Sequence, residues 1–147
     1  MRNEILVLKS ISKNENIVKL YEMYEKQHEL ILIFELMEGG DLYSWIKKKK
    51  FEEKQAWHFF LQMIKGLNFL QLKGVIHRDI KLENILLSKD EKPIVKIADF
   101  SLAEFYKHKA LRTKCGTPGF MAPEIFNNEI YDERVDIFSA GIILYIL

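Results

Sequence analysis

The sequence predicts an α+β chain, and three patterns carry that expectation. In "NIVKLYEMYEKQHELILIFEL", two apolar, β-prone runs flank the polar Lys26-Gln27-His28, as the strands of a hairpin do. From Glu52 to Lys73, the residues Ala56, Phe59, Phe60, Met63, Ile64, Leu67 and Leu70 recur at spacings of three and four, the stripe of a long amphipathic helix ending at Gly74. The short runs "VI", "ILL" and "IVKIA" that follow read as strands with loops between them. With 147 residues, 48% hydrophobic and 29% charged, the chain is long enough for one core.

The remaining elements follow in order. Ile5, Leu8 and Ile11 stand at helical spacing with Glu4 near the start, so a helix is already in progress at the first residue. After Glu38-Gly39-Gly40, Asp41 caps a short helix that passes Trp45 and Ile46. Lys47 to Lys50 lie at its C-terminal end, where cations meet the negative pole of the helix. A nucleic-acid patch competes with a solvated helix end for those lysines. Twenty-two basic against 21 acidic residues, net +1, give no reason to expect nucleic acid or a membrane surface as partner.

The aromatic "WHFF" falls on the long helix and reads as core. His58 reads as a surface side chain, and His28 and His108 as loop residues, because no Cys or His partner stands at metal-ligand spacing. The single Cys115 precludes an internal disulfide and fits an intracellular, cytoplasmic setting. The run Ile142 to Leu147 is too short to span a bilayer and reads as a helix stopped without a cap. A chain cut at both ends is expected to fold poorly alone.

Chemistry concentrates in "VIHRDIKLENILLS", residues 75–88, where four charged side chains and one histidine sit between apolar clusters. A solvated turn with an ion pair on Arg78 is the plain reading of that stretch taken alone. Three further signatures follow it: Asp99-Phe100, "CGTPGFMAPE" at 115–124, and "DIFSAG" at 136–141. Together they resemble the eukaryotic protein kinase signature H-R-D-L-x-x-x-N, D-F-G and A-P-E, in order and over essentially the whole chain. The similarity is greatest to the calcium/calmodulin-dependent and AMP-activated group of Ser/Thr kinases. It implies a two-lobe fold, incomplete here, with residues 1–35 as a remnant of the small lobe and 36–147 as the first part of the large lobe.

The resemblance implies ATP and Mg2+ as cofactors and a protein Ser/Thr hydroxyl as acceptor, a reaction that depends on positioning and charge neutralisation. Asp79 would take or orient the hydroxyl proton, and Asn84 and Asp99, hard oxygen donors, would hold magnesium. Lys81 resembles the lysine that Ser/Thr kinases aim at the transferred phosphate, and Thr117 the threonine linking this loop to the substrate-binding segment. Phe34, Glu35, Met37 and Leu86 would line the nucleotide pocket, with Glu83 and Asp99 beside it. Leu8, Leu20, His77 and Phe100 would form an apolar spine, and Asp136 would anchor the catalytic loop. Arg78, Thr113 and Glu4 are implied as regulatory: Arg78 seeks an anion, Thr113 is an expected site for an upstream activating kinase, and Glu4 would pair with the ATP-binding lysine. Asp41 and Glu83 would read basic residues upstream of the phosphosite.

The chain departs from the pattern at Ser101, which replaces the glycine of D-F-G. If that position needs φ > 0, a Cβ there costs roughly 1–2 kcal/mol and biases the loop. Leu82 and Phe138 replace a proline and a tryptophan. Neither a G-x-G-x-x-G turn nor a V-A-I-K lysine occurs in the sequence. Two readings of function therefore stand: a fragment of a longer active kinase, or a non-catalytic kinase-derived binding or regulatory chain. A small-molecule phosphotransferase is disfavoured by "GTP" and "APE".

Overall fold

A computed structural model describes residues 2–27, 29–48, 50–107 and 109–147, apart from the side chains of Arg2 and Asn3. The readings made for His28, Lys49 and His108 lie outside the described residues. Helix α1, Arg2–Ile11, turns Val7, Leu8 and Ile11 inward, the face its apolar spacing predicts. Strands β1, Leu20–Glu25, and β2, Leu30–Phe34, pair antiparallel from Leu20↔Phe34 to Glu25↔Leu30, with a register shift between Leu20 and Glu22.

Gly40–Asp41 forms the two-residue strand β3, and helix α2 follows at Leu42–Lys48. Asp41 caps α2 as predicted: its Oδ1 accepts the Ser44 N–H at 2.7 Å and its Oδ2 the Ser44 hydroxyl at 2.8 Å. The long helix α3, Glu53–Leu72, buries Ala56, Phe59, Met63, Leu67 and Leu70, whereas Phe60 and Ile64 pack at its margin. Trp57 and His58, the polar side of "WHFF", are exposed. Gly74, at φ +70°, lets the chain leave α3, and a Cβ there would lie 2.8 Å from the Lys107 stem.

The three strand-like runs become β4, Val75–Ile76, β5, Ile85–Leu87, and β6, Val95–Ile97. They do not form one sheet. Strand β5 lies between β3 and β6, while β4 pairs with a further short strand, β7, Glu104–Phe105. Sequence reading missed β3 and β7, since two residues are too few to show a period. Leu82–Asn84 makes a 3₁₀ turn, followed along the chain by α4, Pro123–Phe126, and α5, Arg134–Ile146.

One core joins α1, α3, β5, β6 and α5, and a smaller cluster of Ile76, Leu111, Ala122, Ile125, Tyr131 and Val135 lies under the segment before α4. Backbone bonds from Val18 N to Ile97 O (2.9 Å) and Ile97 N to Asn16 O (2.8 Å) tie the approach to the hairpin onto β6. Among the described residues no helix is long and apolar enough to cross a membrane.

Candidate active site

The loop after β4 is held from behind. Asp136, on α5, accepts the His77 N–H at 2.7 Å and the Arg78 N–H at 2.9 Å, one on each carboxylate oxygen. Burial pushes the Asp136 carboxyl up, opposed by the neighbouring His77 and by the two N–H donors. Arg78 stands at φ 68°, a strained conformation for a residue with a Cβ. The "CGTPGF" segment closes against it: a Cβ on Gly116 would lie 2.7 Å from the Arg78 carbonyl oxygen, so the glycine is needed for that approach.

His77 is fully buried, edge-on to Phe100 at 4.9 Å between ring centroids. Its Nδ1 accepts the Asp79 N–H at 3.2 Å and its Nε2 faces the Ala98 carbonyl at 2.9 Å, an arrangement that the neutral tautomer with its proton on Nε2 satisfies. Leu8, Leu20 and Phe100 share the main core, and the ring contact within the expected spine is His77 with Phe100.

Asp79 is the centre of the site. One carboxylate oxygen pairs with Lys81 Nζ at 2.7 Å and the other accepts the Thr117 hydroxyl at 2.6 Å, while Lys81 donates to Thr117 Oγ1 at 3.0 Å. The hydroxyl thus gives one hydrogen bond and takes one, which closes the triangle without an unsatisfied group. Burial acts to raise the Asp79 carboxyl, but the Lys81 and Thr117 hydrogen bonds and the lysine charge outweigh it and hold the group below the usual carboxylate range. Lys81 is raised, first by its bond to Asp79.

Asn84 reaches back from the 3₁₀ turn, its Nδ2 donating to the Asp79 carbonyl at 2.9 Å and to Asp79 Oδ2 at 3.3 Å. These bonds use the amide nitrogen and leave the oxygen, the hard donor, for another partner. The Asn84 carbonyl accepts the Ala98 N–H at 2.9 Å, which sets the turn beside Asp99. Asp99 is exposed, and its Oδ1 takes the Ser101 N–H at 3.3 Å. An exposed carboxylate on Asp99 and an unengaged carboxamide oxygen on Asn84 are hard donors of the kind that suit magnesium. Among the described residues no three His, Cys, Asp or Glu side chains cluster around a possible metal position, and a magnesium ion held by Asn84 and Asp99 would need water or phosphate oxygens besides.

The expected penalty at Ser101 does not arise. The left-handed residue of this turn is Asp99, at φ 59°, and Ser101 lies outside the positive-φ region, so its Cβ meets no backbone strain. Arg78 has an anionic partner, here a carboxylate. Its guanidinium pairs with Glu104 on β7 at 3.0 Å, donates through Nε to the Leu102 carbonyl at 2.7 Å, and lies 3.5 Å from the Tyr131 hydroxyl. Glu104 could have been found only from the β4–β7 register, which sets it opposite Ile76. Thr113 is exposed, and its carbonyl accepts the Tyr131 hydroxyl at 2.7 Å.

On the nucleotide side, Phe34 ends β2, and Met37 and Leu86 pack at the margin of the main core. Glu35 is half-buried, as is Glu4 on α1. Gly39 donates to the Leu87 carbonyl at 2.9 Å. Glu83 is exposed on the 3₁₀ turn, while both carboxylate oxygens of Asp41 are engaged by Ser44.

A buried carboxylate with a lysine and a threonine closing on it, followed by an asparagine on the next turn and an aspartate after β6, is the arrangement the resemblance to protein kinases implies. The protein kinase domain family matches residues 1–147, and the chain belongs to that family, on its eukaryotic Ser/Thr side. It is 40% identical over 150 residues to a probable myosin light chain kinase of Dictyostelium discoideum, covering 100% of this chain and 43% of the relative. It is 38% identical over 149 residues to calcium/calmodulin-dependent protein kinase type 1 of Caenorhabditis briggsae, covering 100% of this chain and 42% of that protein. Identity to NUAK family SNF1-like kinase 2 of Rattus norvegicus is 39% over 150 residues, 100% of this chain and 23% of the relative. The chain thus spans less than half the length of these relatives.

Proposed function

We propose that this chain forms part of an ATP-dependent protein Ser/Thr kinase that moves a phosphoryl group from MgATP to a protein hydroxyl. The closed Asp79–Lys81–Thr117 triangle carries this reading. A substrate hydroxyl entering it would replace Thr117 or share its place on Asp79, which then orients the hydroxyl and accepts its proton. Lys81 would turn its charge to the incoming phosphoryl oxygens, and Thr117 keeps the two loops together. Asn84 and Asp99 would hold magnesium, which when bound neutralises phosphate charge.

Residues 1–35 belong in this reading to the small lobe and 36–147 to the large lobe. Phe34, Glu35, Met37 and Leu86 border the nucleotide, and Glu4 is the expected partner of an ATP-contacting lysine. Glu83, free on the surface, would select basic residues upstream of the phosphosite, and Asp41 supports it through the α2 cap. Thr113 is the proposed target of an upstream kinase, its phosphate competing with Glu104 for Arg78. The expected setting is cytoplasmic, with a protein substrate as partner.

The test is phosphotransfer by the full-length protein to a Ser-containing peptide. Asp79→Asn should lower kcat by roughly 10²- to 10⁴-fold while MgADP binding is retained. No transfer by the wild type would establish the non-catalytic alternative instead, whereas equal measurable rates for the two proteins would remove Asp79 from its proposed role.

A further inference from the structure

The segment after β2 is tied to β6 by a side-chain contact that the reaction scheme does not use. Lys96 Nζ pairs with Glu35 Oε1 at 2.9 Å, with the two side chains 14% and 17% exposed. The same oxygen accepts the Lys19 N–H at 2.6 Å, and the Glu35 N–H donates to the Lys19 carbonyl at 2.9 Å. Residues 16 and 18 are themselves bonded to Ile97, next to Lys96. A ring therefore closes from β6 through residues 16–19 to Glu35 and back through Lys96.

The register gives this ring its meaning. Lys96 on β6 stands directly opposite Leu86 on β5, and opposed residues of an antiparallel pair share a face of the sheet. One face thus carries the proposed floor of the nucleotide pocket, Leu86, and the cation that holds its proposed edge, Glu35. We infer that Lys96 is a positioning residue for the nucleotide: it fixes the spacing between the Glu35–Met37 backbone and Leu86, the gap into which a flat base must fit. This inference rests on the kinase reading above.

Lysine suits the task because its four-carbon stem lies along the sheet while the ammonium reaches the carboxylate. Without it, Glu35 keeps a half-buried carboxylate bonded only to the Lys19 amide, and the segment gains freedom that nucleotide binding must then remove. The loss appears in nucleotide affinity and leaves the Asp79 triangle intact.

The experiment uses the full-length protein with Lys96→Met, Lys96→Arg, Glu35→Gln and the Lys96→Met/Glu35→Gln double variant, measuring KM for ATP, kcat, MgADP affinity and Tm. Lys96→Met should raise KM for ATP and weaken MgADP binding by about 3- to 10-fold, with kcat changed less than about twofold. Lys96→Arg should restore most of the affinity, and the double variant should bind no worse than the weaker single one, the mark of coupled partners. A lowered Tm with KM and MgADP affinity unchanged, or additive effects in the double variant, would overturn the inference. A wild-type protein that binds no MgADP would overturn both this inference and the kinase reading, whereas unchanged KM in an active Lys96→Met enzyme sinks the positioning role alone.

Discussion

The catalytic loop and the β1–β2 hairpin stand at opposite extremes of internal support. In the loop His77, Asp79 and Asn84 are buried, as is Asp136 on α5 behind it, and among the described residues no buried side-chain polar atom lacks a hydrogen-bond partner. In and beside the hairpin Tyr21, Tyr24, Ile31, Ile33 and Leu36 are exposed, Leu36 at 83%. Two strands alone are marginal in water, so the hairpin's placement depends on the bonds of residues 16–18 to β6 and on the Glu35–Lys96 pair. Residues 75–88 are therefore held by their own hydrogen bonds and by Asp136 behind them, while the segment after β2 takes its geometry from a single half-buried ion pair and the strand edge it touches. A polar loop is made rigid by satisfying every group it buries, and an apolar hairpin without a covered second face is not.

The strongest way to break this contrast is to remove the loop's anchor. Asp136→Ala leaves two backbone N–H groups without acceptors in a buried place, and should cost about 3–5 kcal/mol in urea denaturation. Hydrogen exchange should then speed up at residues 77–81 and not in β1–β2. Equal exchange in both regions would show that the loop draws its order from elsewhere.

A smaller effect follows from pH. The Asp79 carboxyl lies below its ordinary range in the folded protein, so its stabilisation is present above the ordinary carboxylate value and lost as pH falls through the depressed one. Lys81 is raised, so its share is present below the ordinary lysine value and lost as pH rises through the raised one. Lys81→Met should accordingly lose about 1–3 kcal/mol at neutral pH, a difference from wild type that shrinks in strong acid; urea melts across pH measure it. A hairpin substitution such as Tyr24→Ser should show no such pH-dependent difference beyond that of its own ring.

The smallest expected effect belongs to Ser101. With no positive φ to relieve, Ser101→Gly should lower stability by about 0.4–1 kcal/mol through a freer unfolded chain and leave nucleotide affinity and kcat within about twofold. An increase in either above that would restore a conformational role for the serine.

The helices were legible because they repeat, α1 and α3 following their apolar spacing to within a residue or two, and the hairpin because two apolar runs flank a polar turn, although β1 begins only at Leu20. The residues proposed to act on the substrate were legible because their order in "HRDIKLEN" carries the resemblance. What escaped were contacts between distant short pieces. Glu104 meets Arg78 only because β7 pairs with β4, and Lys96 meets Glu35 only because β6 lies beside residues 16–18. The two-residue β7 is too short to announce itself, β6 reads as a strand without its neighbours, and a salt bridge has no spacing in sequence. The strain was misplaced by two residues for a related reason, since a missing glycine marks a position but not the backbone angle the fold adopts there.

The Asp136 carboxylate that holds His77 lies 59 residues further along the chain. A polypeptide emerging from the ribosome therefore completes "HRDIKLEN" well before the acid that shapes it exists. At about 5–20 residues per second the nascent loop waits roughly 3–12 s for its anchor. Any translation product that stops before α5 carries all the letters of the catalytic motif and none of its geometry.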